Sequence, residues 1–435
     1  MIRRDALREY VRGSLWVLPT VAVFAALVVG SLLSLVDLGP RSPLAFQGTP
    51  DDARSLLIGI AGTMVTVIAL LLGLTVVALQ LSSTQFSPRL LRNFLRDRPN
   101  QVVLSVFVAT FAYSTAGLYT VGVSGGNRTT EFPRLAVSGA IVLLFASLGM
   151  LVYFADHLAH SIQIESIMAV VVRNALTVIH GGLLEGGGPA SPVPDGALPI
   201  AGQRSGYVQA VRVDPLLAAA RQDGVRIRLG ARVGEHVVAG TTLLWVWPLT
   251  PGGPPVTTAV RKAVHQAVSI GPERTFEQDA AFGIRQLVDV ACKAMSPAVN
   301  DPYTAVQAID RLSVLFSALA TRPLGYHVAR DPSGAEVTVP GRGFGDYLST
   351  MCGLIRRYGS SEPIVIVALL RLLAICASVD GPDPERLAAI DEQARLVVED
   401  AEQNVRQPAD MADVRTEAAA VRTAIDRRRH AAGNA

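Results

Sequence analysis

Apolar residues are spread unevenly along this chain. Four runs with no ionisable residue at their centres fill its first third, at about 14–36, 56–81, 102–123 and 135–154. Each is long enough to cross a hydrocarbon core of ~30 Å as a helix, which takes roughly 20 residues. A helix satisfies its backbone N–H and C=O groups internally, and lipid offers them no other partner. The pattern predicts an α-helical integral membrane protein in which residues 1–160 form a domain of four transmembrane helices. The spans hold Ser, Thr, Tyr, Gln and Gly but no Asp, Glu, Lys, Arg or His near mid-membrane. Proton-coupled pumps and voltage sensors place ionisable groups at that depth, so the pattern argues against both.

After the fourth run the periodicity changes. There is no proline from residue 135 to about 180 and no glycine between Gly149 and Gly181, so one long helix is expected to leave the bilayer. Residues 161–197 then read as a helical extension followed by a Gly/Pro linker at 186–195. Residues 198–256 read as a small β-rich module, with alternation at 205–209 and 225–228 and a short helix at 214–220. Gly234 and Gly240, framing Val237, mark paired turns that resemble half of a biotinyl/lipoyl-type hammerhead motif. No lysine precedes Lys262, which excludes covalent biotin or lipoate here and leaves a structural or oligomerisation unit. Residues 257–430 read as a mostly helical domain, so the non-membrane part is an α+β region. Thr275 to Gln278 fits a capping box. Asp301-Pro302 fits an N-cap with proline at the first helical position. Residues 326–339 fit a hairpin turning at 331–334, and helices are expected near 343–358, 362–378 and 384–404, with a last one to about 429.

Charge adds an orientation. Arg3, Arg4, Arg8 and Arg12 precede the first span, and Arg89, Arg92, Arg96 and Arg98 follow the second. The other two connections carry only Arg41 and Arg54, and Arg128 and Arg134. The positive-inside rule puts both termini in the cytoplasm of a multi-pass inner (plasma) membrane protein, with everything after about Asp156 cytoplasmic. The first run is too long for a signal-peptide core and lacks a small-x-small cleavage site, so it reads as an uncleaved helix. Of the 435 residues, 50% are hydrophobic and 17% charged, an average over an apolar third and a polar remainder. The net charge is +3 and the basic residues are almost all arginine, a bias of GC-rich bacterial genomes. No aromatic-interleaved basic patch supports nucleic-acid binding. Cys292, Cys352 and Cys376 lack CxxC spacing and fall on the cytoplasmic side, so free thiols are expected. A sequon at 127–129 carries little meaning in a bacterium.

Two motifs carry a family resemblance. Gln85-Phe86-Ser87-Pro88-Arg89-Leu90-Leu91 follows the second span. Further on, the run from Asp279 to Asp289 (DAAFGIRQLVD) leads to Ser296-Pro297-Ala298-Val299-Asn300-Asp301-Pro302-Tyr303-Thr304-Ala305. With four N-terminal spans, the chain resembles over nearly its whole length the bacterial predicted membrane proteins called DUF2254. The resemblance implies an inner-membrane protein with a cytoplasmic C-terminal region. It carries over no activity and no functional residue.

Candidate sites follow from the residues alone. At about 100° per residue, Gly59, Gly62, Thr63, Thr66, Gly73, Gln80 and Thr84 share one face of the second span, with Thr75 opposite. Small residues let helices pack closely. The same face could line a neutral pore in a homo-oligomer, where hydroxyls and amides coordinate partly dehydrated ions. Residues 85–98 could form an amphipathic helix on the inner leaflet, or simply carry the positive-inside signal. His157 and His160, beside Asp156, are candidates for interfacial pH sensing, and they lack a third ligand for a metal. Arg285, Asp289, Ser296, Asn300 and Asp301 form a candidate cytoplasmic ligand or subunit-contact loop, although turn and cap chemistry also explains the last two. No nucleophile–base set, Walker loop or GxGxxG context points to catalysis or a cofactor. The expected function is a homo-oligomeric, channel-like permeation protein with a cytoplasmic gating domain. The alternative is a non-transporting scaffold that recruits a cytoplasmic protein partner.

Overall fold

A computed structural model describes residues 16–36, 42–85, 98–122, 132–161, 163–184, 186, 190–250, 257–379 and 383–433. The expected amphipathic segment falls almost wholly outside these residues and the sequon wholly, as do most of the orienting arginines. The chain divides into two compact units, Met1–Ile167 and Met168–Ala435.

The first unit holds α1 (Val17–Ser34), α2 (Pro50–Gln85), α3 (Arg98–Gly122) and α4 (Arg134–Ser161). Helix α3 is central and packs against the other three. Leu57, Ile60, Met64 and Leu71 of α2 meet Val103, Phe107 and Tyr113 of α3 and Val137, Ala140 and Phe154 of α4. The outer surface is apolar too: Phe24, Val28 and Leu32 of α1 and Val142, Phe145 and Val152 of α4 are exposed. Burial runs against hydropathy. The spanning window of α1 has a mean hydropathy of 2.2 and is 6% buried, whereas that of α3 has 1.6 and is 39% buried. A water-soluble bundle would bury its most apolar helix; a bundle in lipid need not.

Among the described residues five helices, not the expected four, are long and apolar enough to cross a membrane. The fifth is α5 (Ile164–Thr177), extended by a π turn at Val178–Gly182. It stands where a continuation of α4 was expected. The break falls in the polar stretch after Asp156, where the Gln163 N–H bonds to the His160 carbonyl at 3.3 Å. Neither proline nor glycine marks it, so local residue signals do not reveal it. Met168, Val171, Val172, Ala175, Val178 and Ile179 are buried along this helix.

The second unit continues with β1 (Leu198–Ala201), β2 (Gly206–Val211), α6 (Val213–Asp223), β3 (Val225–Leu229), β4 (His236–Val237) and β5 (Thr242–Pro248). Next come α7 (Thr258–Ala267), β6 (Val268–Gly271), α8 (Ala280–Ala294), α9 (Pro302–Ala320), β7 (His327–Arg330) and β8 (Glu336–Val339). Four helices close the chain: α10 (Phe344–Gly359), α11 (Pro363–Ser378), α12 (Pro384–Asn404) and α13 (Pro408–Gly433). One sheet has the order β1-β5-β3-β8-β7 and the other β4-β2-β6. Both therefore draw strands from either side of residue 256. The β7–β8 hairpin forms where expected, with Asp331 Oδ1 accepting from the N–H groups of Ser333 and Ala335. It then adds to the earlier strands through a parallel β3–β8 pairing. Leu216 and Ala220 of α6 and Val260 and Val264 of α7 pack with Ile227, Leu244, Val246 and Val337 of the larger sheet. In the helical part, α11 is buried along Val365, Ile366, Leu369, Leu370, Leu372 and Leu373 and packs against α9, α12 and α13.

One expected cap is displaced. Helix α8 begins at Ala280, capped by Asp279, whose side chain accepts from Phe282 N–H at 3.2 Å. Gln278 is drawn away instead: its amide accepts from Val211 N–H at 2.8 Å and donates to Val211 C=O at 3.2 Å, fastening the end of β2.

Candidate functional site

On α2 the packing side and the small polar side are distinct. Ala53, Leu57, Ile60, Ala61, Met64, Leu71 and Ala78 are buried. At about 100° per residue they share one side, and half-buried Thr75 falls among them. Gly59, Gly62, Thr63, Thr66, Gly73 and Gln80 are exposed on the far side. A Cβ placed on Gly59, Gly62 or Gly73 would meet nothing within 4 Å. The Thr63 hydroxyl donates to the Gly59 carbonyl at 2.7 Å and that of Thr66 to the Gly62 carbonyl at 3.3 Å, so neither reaches another helix. The side chain of Thr84 lies outside the described residues. The glycines of this face thus have no packing role among the described residues.

Tight packing within the unit is done by glycines that sequence reasoning did not single out. A Cβ on Gly139 would come within 2.5 Å of the Tyr113 hydroxyl, and one on Gly30 within 3.2 Å of the Tyr113 ring. One on Gly117 would reach Leu57 at 3.2 Å. Tyr113, clasped between α1 and α4, donates to the Ala136 carbonyl at 2.8 Å. Polar groups line the same interior: Thr110 and Ser147 hydroxyls are 2.9 Å apart, and Ser114 Oγ is buried without a hydrogen-bond partner. The sequence hid these because hydroxyl residues are scattered over several faces of α3 and only the packing selects among them.

Near the end of α4 the two histidines do not converge. His160 Nδ1 lies 2.9 Å from the Asp156 carbonyl and 3.5 Å from its carboxylate, while the His157 ring stacks on Tyr153 at 5.9 Å.

In the second unit the candidate loop resolves into two local arrangements. Arg285 and Asp289 pair with each other on α8 at 2.9 Å. At its end, Val299 and Asn300 N–H groups bond to the Ser296 carbonyl, and Asp301 N–H bonds to that of Ala294. Asn300 takes the left-handed conformation, φ 50°, which asparagine tolerates. Asp301 then caps α9, accepting from Thr304 N–H at 3.1 Å and Thr304 Oγ1 at 2.6 Å. Those bonds, the hydroxyl first, hold its carboxyl below the usual range. Asp301 was expected as a cap and is one. Ser296 Oγ is buried without a hydrogen-bond partner among the described residues. Beyond this frame, Tyr303 is 72% exposed and Val299 42%. The Cys292 thiol is pushed up to about 11 by burial and by Asp289, and burial pushes Cys352 and Cys376 up as well. All three cysteines are free.

The profile of the DUF2254 family, described as a predicted membrane protein, matches residues 12–375. The chain is 43% identical over 440 residues to the uncharacterized protein Rv1290c of Mycobacterium tuberculosis, covering 98% of this chain and 83% of the relative. The uncharacterized protein Mb1321c of Mycobacterium bovis is similar to the same degree and over the same shares. No solved structure matches. With a bundle that turns apolar side chains outward and a family match over most of its length, the chain belongs to the DUF2254 family of predicted membrane proteins.

Proposed function

We propose that this protein is a homo-oligomeric, channel-like permeation protein of a bacterial inner membrane, with both termini in the cytoplasm. The observation that carries the reading is the open face of α2. Glycines with nothing beside them among the described residues, next to exposed threonines, suit contact with another copy, where small residues allow close approach. In such an assembly the hydroxyls, with Gln80, supply dipoles along a path that needs no fixed charge. We assign membrane crossing to α1–α4. The apolar side of α5 is already engaged by protein: a Cβ on Gly283 of α8 would come within 2.7 Å of Ala175. Residues 168–435 then form the gating region. In this reading the chain carries no catalytic residue and binds neither cofactor nor nucleic acid.

The test is ion flux into liposomes containing purified protein of measured oligomer size. Gly73→Leu should abolish flux, while Thr75→Leu, on the packing side, should retain it. Equal effects, or no flux in the wild type across several ions and voltages, would contradict the reading. A second reading is a scaffold that recruits a cytoplasmic protein partner. The exposed Val299 and Tyr303 at the start of α9 favour it. Absence of flux together with partner capture that Tyr303→Ala removes would support that alternative.

A further inference from the structure

A cavity of about 40 Å³ lies in the second unit where β8 runs into α10. Arg232, Gln278, Asp279, Gly341, Arg342 and Tyr347 are among its lining residues. The connection is short and glycine-rich, Pro340-Gly341-Arg342-Gly343. Gly341 has to be glycine, because a Cβ there would collide with the carbonyl oxygen of Gly325. The same contact is closed by Gly325 N–H bonding to the Arg342 carbonyl at 3.1 Å, which fixes the residue that presents the guanidinium.

The charges around this cavity are paired, with one exception. Arg274 grips Asp279 through two bonds of 2.7 and 2.9 Å. Gly234, at φ 85°, leaves room for that pair, since a Cβ would fall 2.3 Å from the Asp279 carboxylate. Arg232 reaches Asp346 at 3.1 Å and Glu235 at 3.7 Å. Asp346 also accepts from Gly343 N–H at 3.0 Å, so the positive end of α10 is already occupied. Arg342 is the exception. The residue is half-buried, its Nε is buried without a hydrogen-bond partner among the described residues, and no carboxylate there pairs with it. A buried guanidinium N–H left without an acceptor is costly, and native proteins fill such a position with water or an anion. Tyr347, 4% exposed, adds a second donor to the lining. Burial and then Asp279 raise its phenol well above the usual range, so it keeps its proton.

We propose that this cavity is a binding site for a small tetrahedral oxyanion, phosphate either free or as the terminal group of a larger molecule, held by the Arg342 guanidinium and the Tyr347 hydroxyl. The neighbouring carboxylates are neutralised by Arg274 and Arg232, so the anion meets no uncompensated negative charge. The volume has room for a few waters or one such ion, not for a whole metabolite. The site is independent of the permeation reading, and its test does not involve flux.

The test is thermal unfolding of the full chain in detergent, titrated with potassium phosphate against potassium chloride at matched ionic strength. Glycerol phosphate serves as the phosphomonoester probe. The midpoint should rise with saturating phosphate and not with chloride. Arg342→Gln should weaken the apparent Kd by about tenfold or more, the range for bonds to a charged group. Tyr347→Phe should weaken it less. Stabilisation by both probes assigns the site to terminal phosphoryl groups, and stabilisation by phosphate alone assigns it to the free ion. If phosphate acts no differently from chloride on the wild type, or if Arg342→Gln responds like the wild type, the proposal falls. Should Arg342→Gln fail to fold, phosphorus NMR line broadening with wild type and Tyr347→Phe decides, and unbroadened lines in the wild type overturn the site.

Discussion

The two units place apolar and polar groups by opposite rules. In the second, α11 is as apolar as a membrane helix, and protein surrounds it: Leu369, Leu370, Leu372 and Leu373 are all fully buried. In the first, α1 exposes Val21, Phe24, Val28 and Leu32, while Thr110, Ser114 and Ser147 are buried inside the bundle. In water, removing apolar surface from solvent drives packing, so the most apolar helix goes to the centre. Lipid tails offer no such drive, so close contact and interhelical hydrogen bonds choose the centre instead. Helix α3 is central for that reason: it offers Tyr113 to Gly30 and Gly139, and Thr110 to Ser147.

The contrast can be broken most strongly at Gly139. A leucine there would drive its Cβ into Tyr113, so Gly139→Leu should abolish the monodisperse, detergent-extracted protein, whereas Gly73→Leu should leave the folded protomer intact. Size-exclusion profiles of the two variants check this. In the second unit, Leu370→Ala should cost roughly 2–5 kcal/mol, the range for a buried leucine truncated in a soluble core. Denaturant melts followed by a probe in that unit measure it. Asp301→Ala removes a cap and should cost about 1 kcal/mol. The pH dependence has a fixed sign. The folded carboxyl of Asp301 titrates below its unfolded value, so its contribution is present above about pH 4 and is lost as pH falls through the folded value. Unfolding curves between neutral and acid pH should therefore converge for the wild type and Asp301→Ala. The smallest effect is expected at Thr63, whose hydroxyl only bonds back to its own helix. Thr63→Val should change protomer stability by less than about 0.5 kcal/mol. A larger loss would mean that this face is already packed.

Much of the second unit's architecture was legible because it is written locally. Asp301-Pro302, the 331–334 turn and the starts of α11 and α12 follow from caps, prolines and turn residues a few positions apart. What was not legible depends on distant partners. Gln278 fits a capping box by spacing, yet Val211 competes for its amide from another strand. The break between α4 and α5 has no proline or glycine to announce it, and α5 then brings the number of sufficiently apolar helices to five. The polar face of α2 was visible as a pattern, but only the packing showed that it points away from the rest of its unit. The cavity at Arg342 was invisible, because an arginine is defined as unpaired only by the positions of all its neighbours.

On the proposed reading, the open face of α2 meets another copy of the chain. The direct measurement is oxidative cross-linking in membranes of Gly73→Cys, with Val142→Cys on the outer side of α4 and the unsubstituted chain as controls. A dimer-sized product from position 73 is expected, well above that from position 142 or from the parent cysteines. Equal yields at 73 and 142, or none at 73, would show that this face meets lipid and would contradict the assembly on which the permeation reading depends.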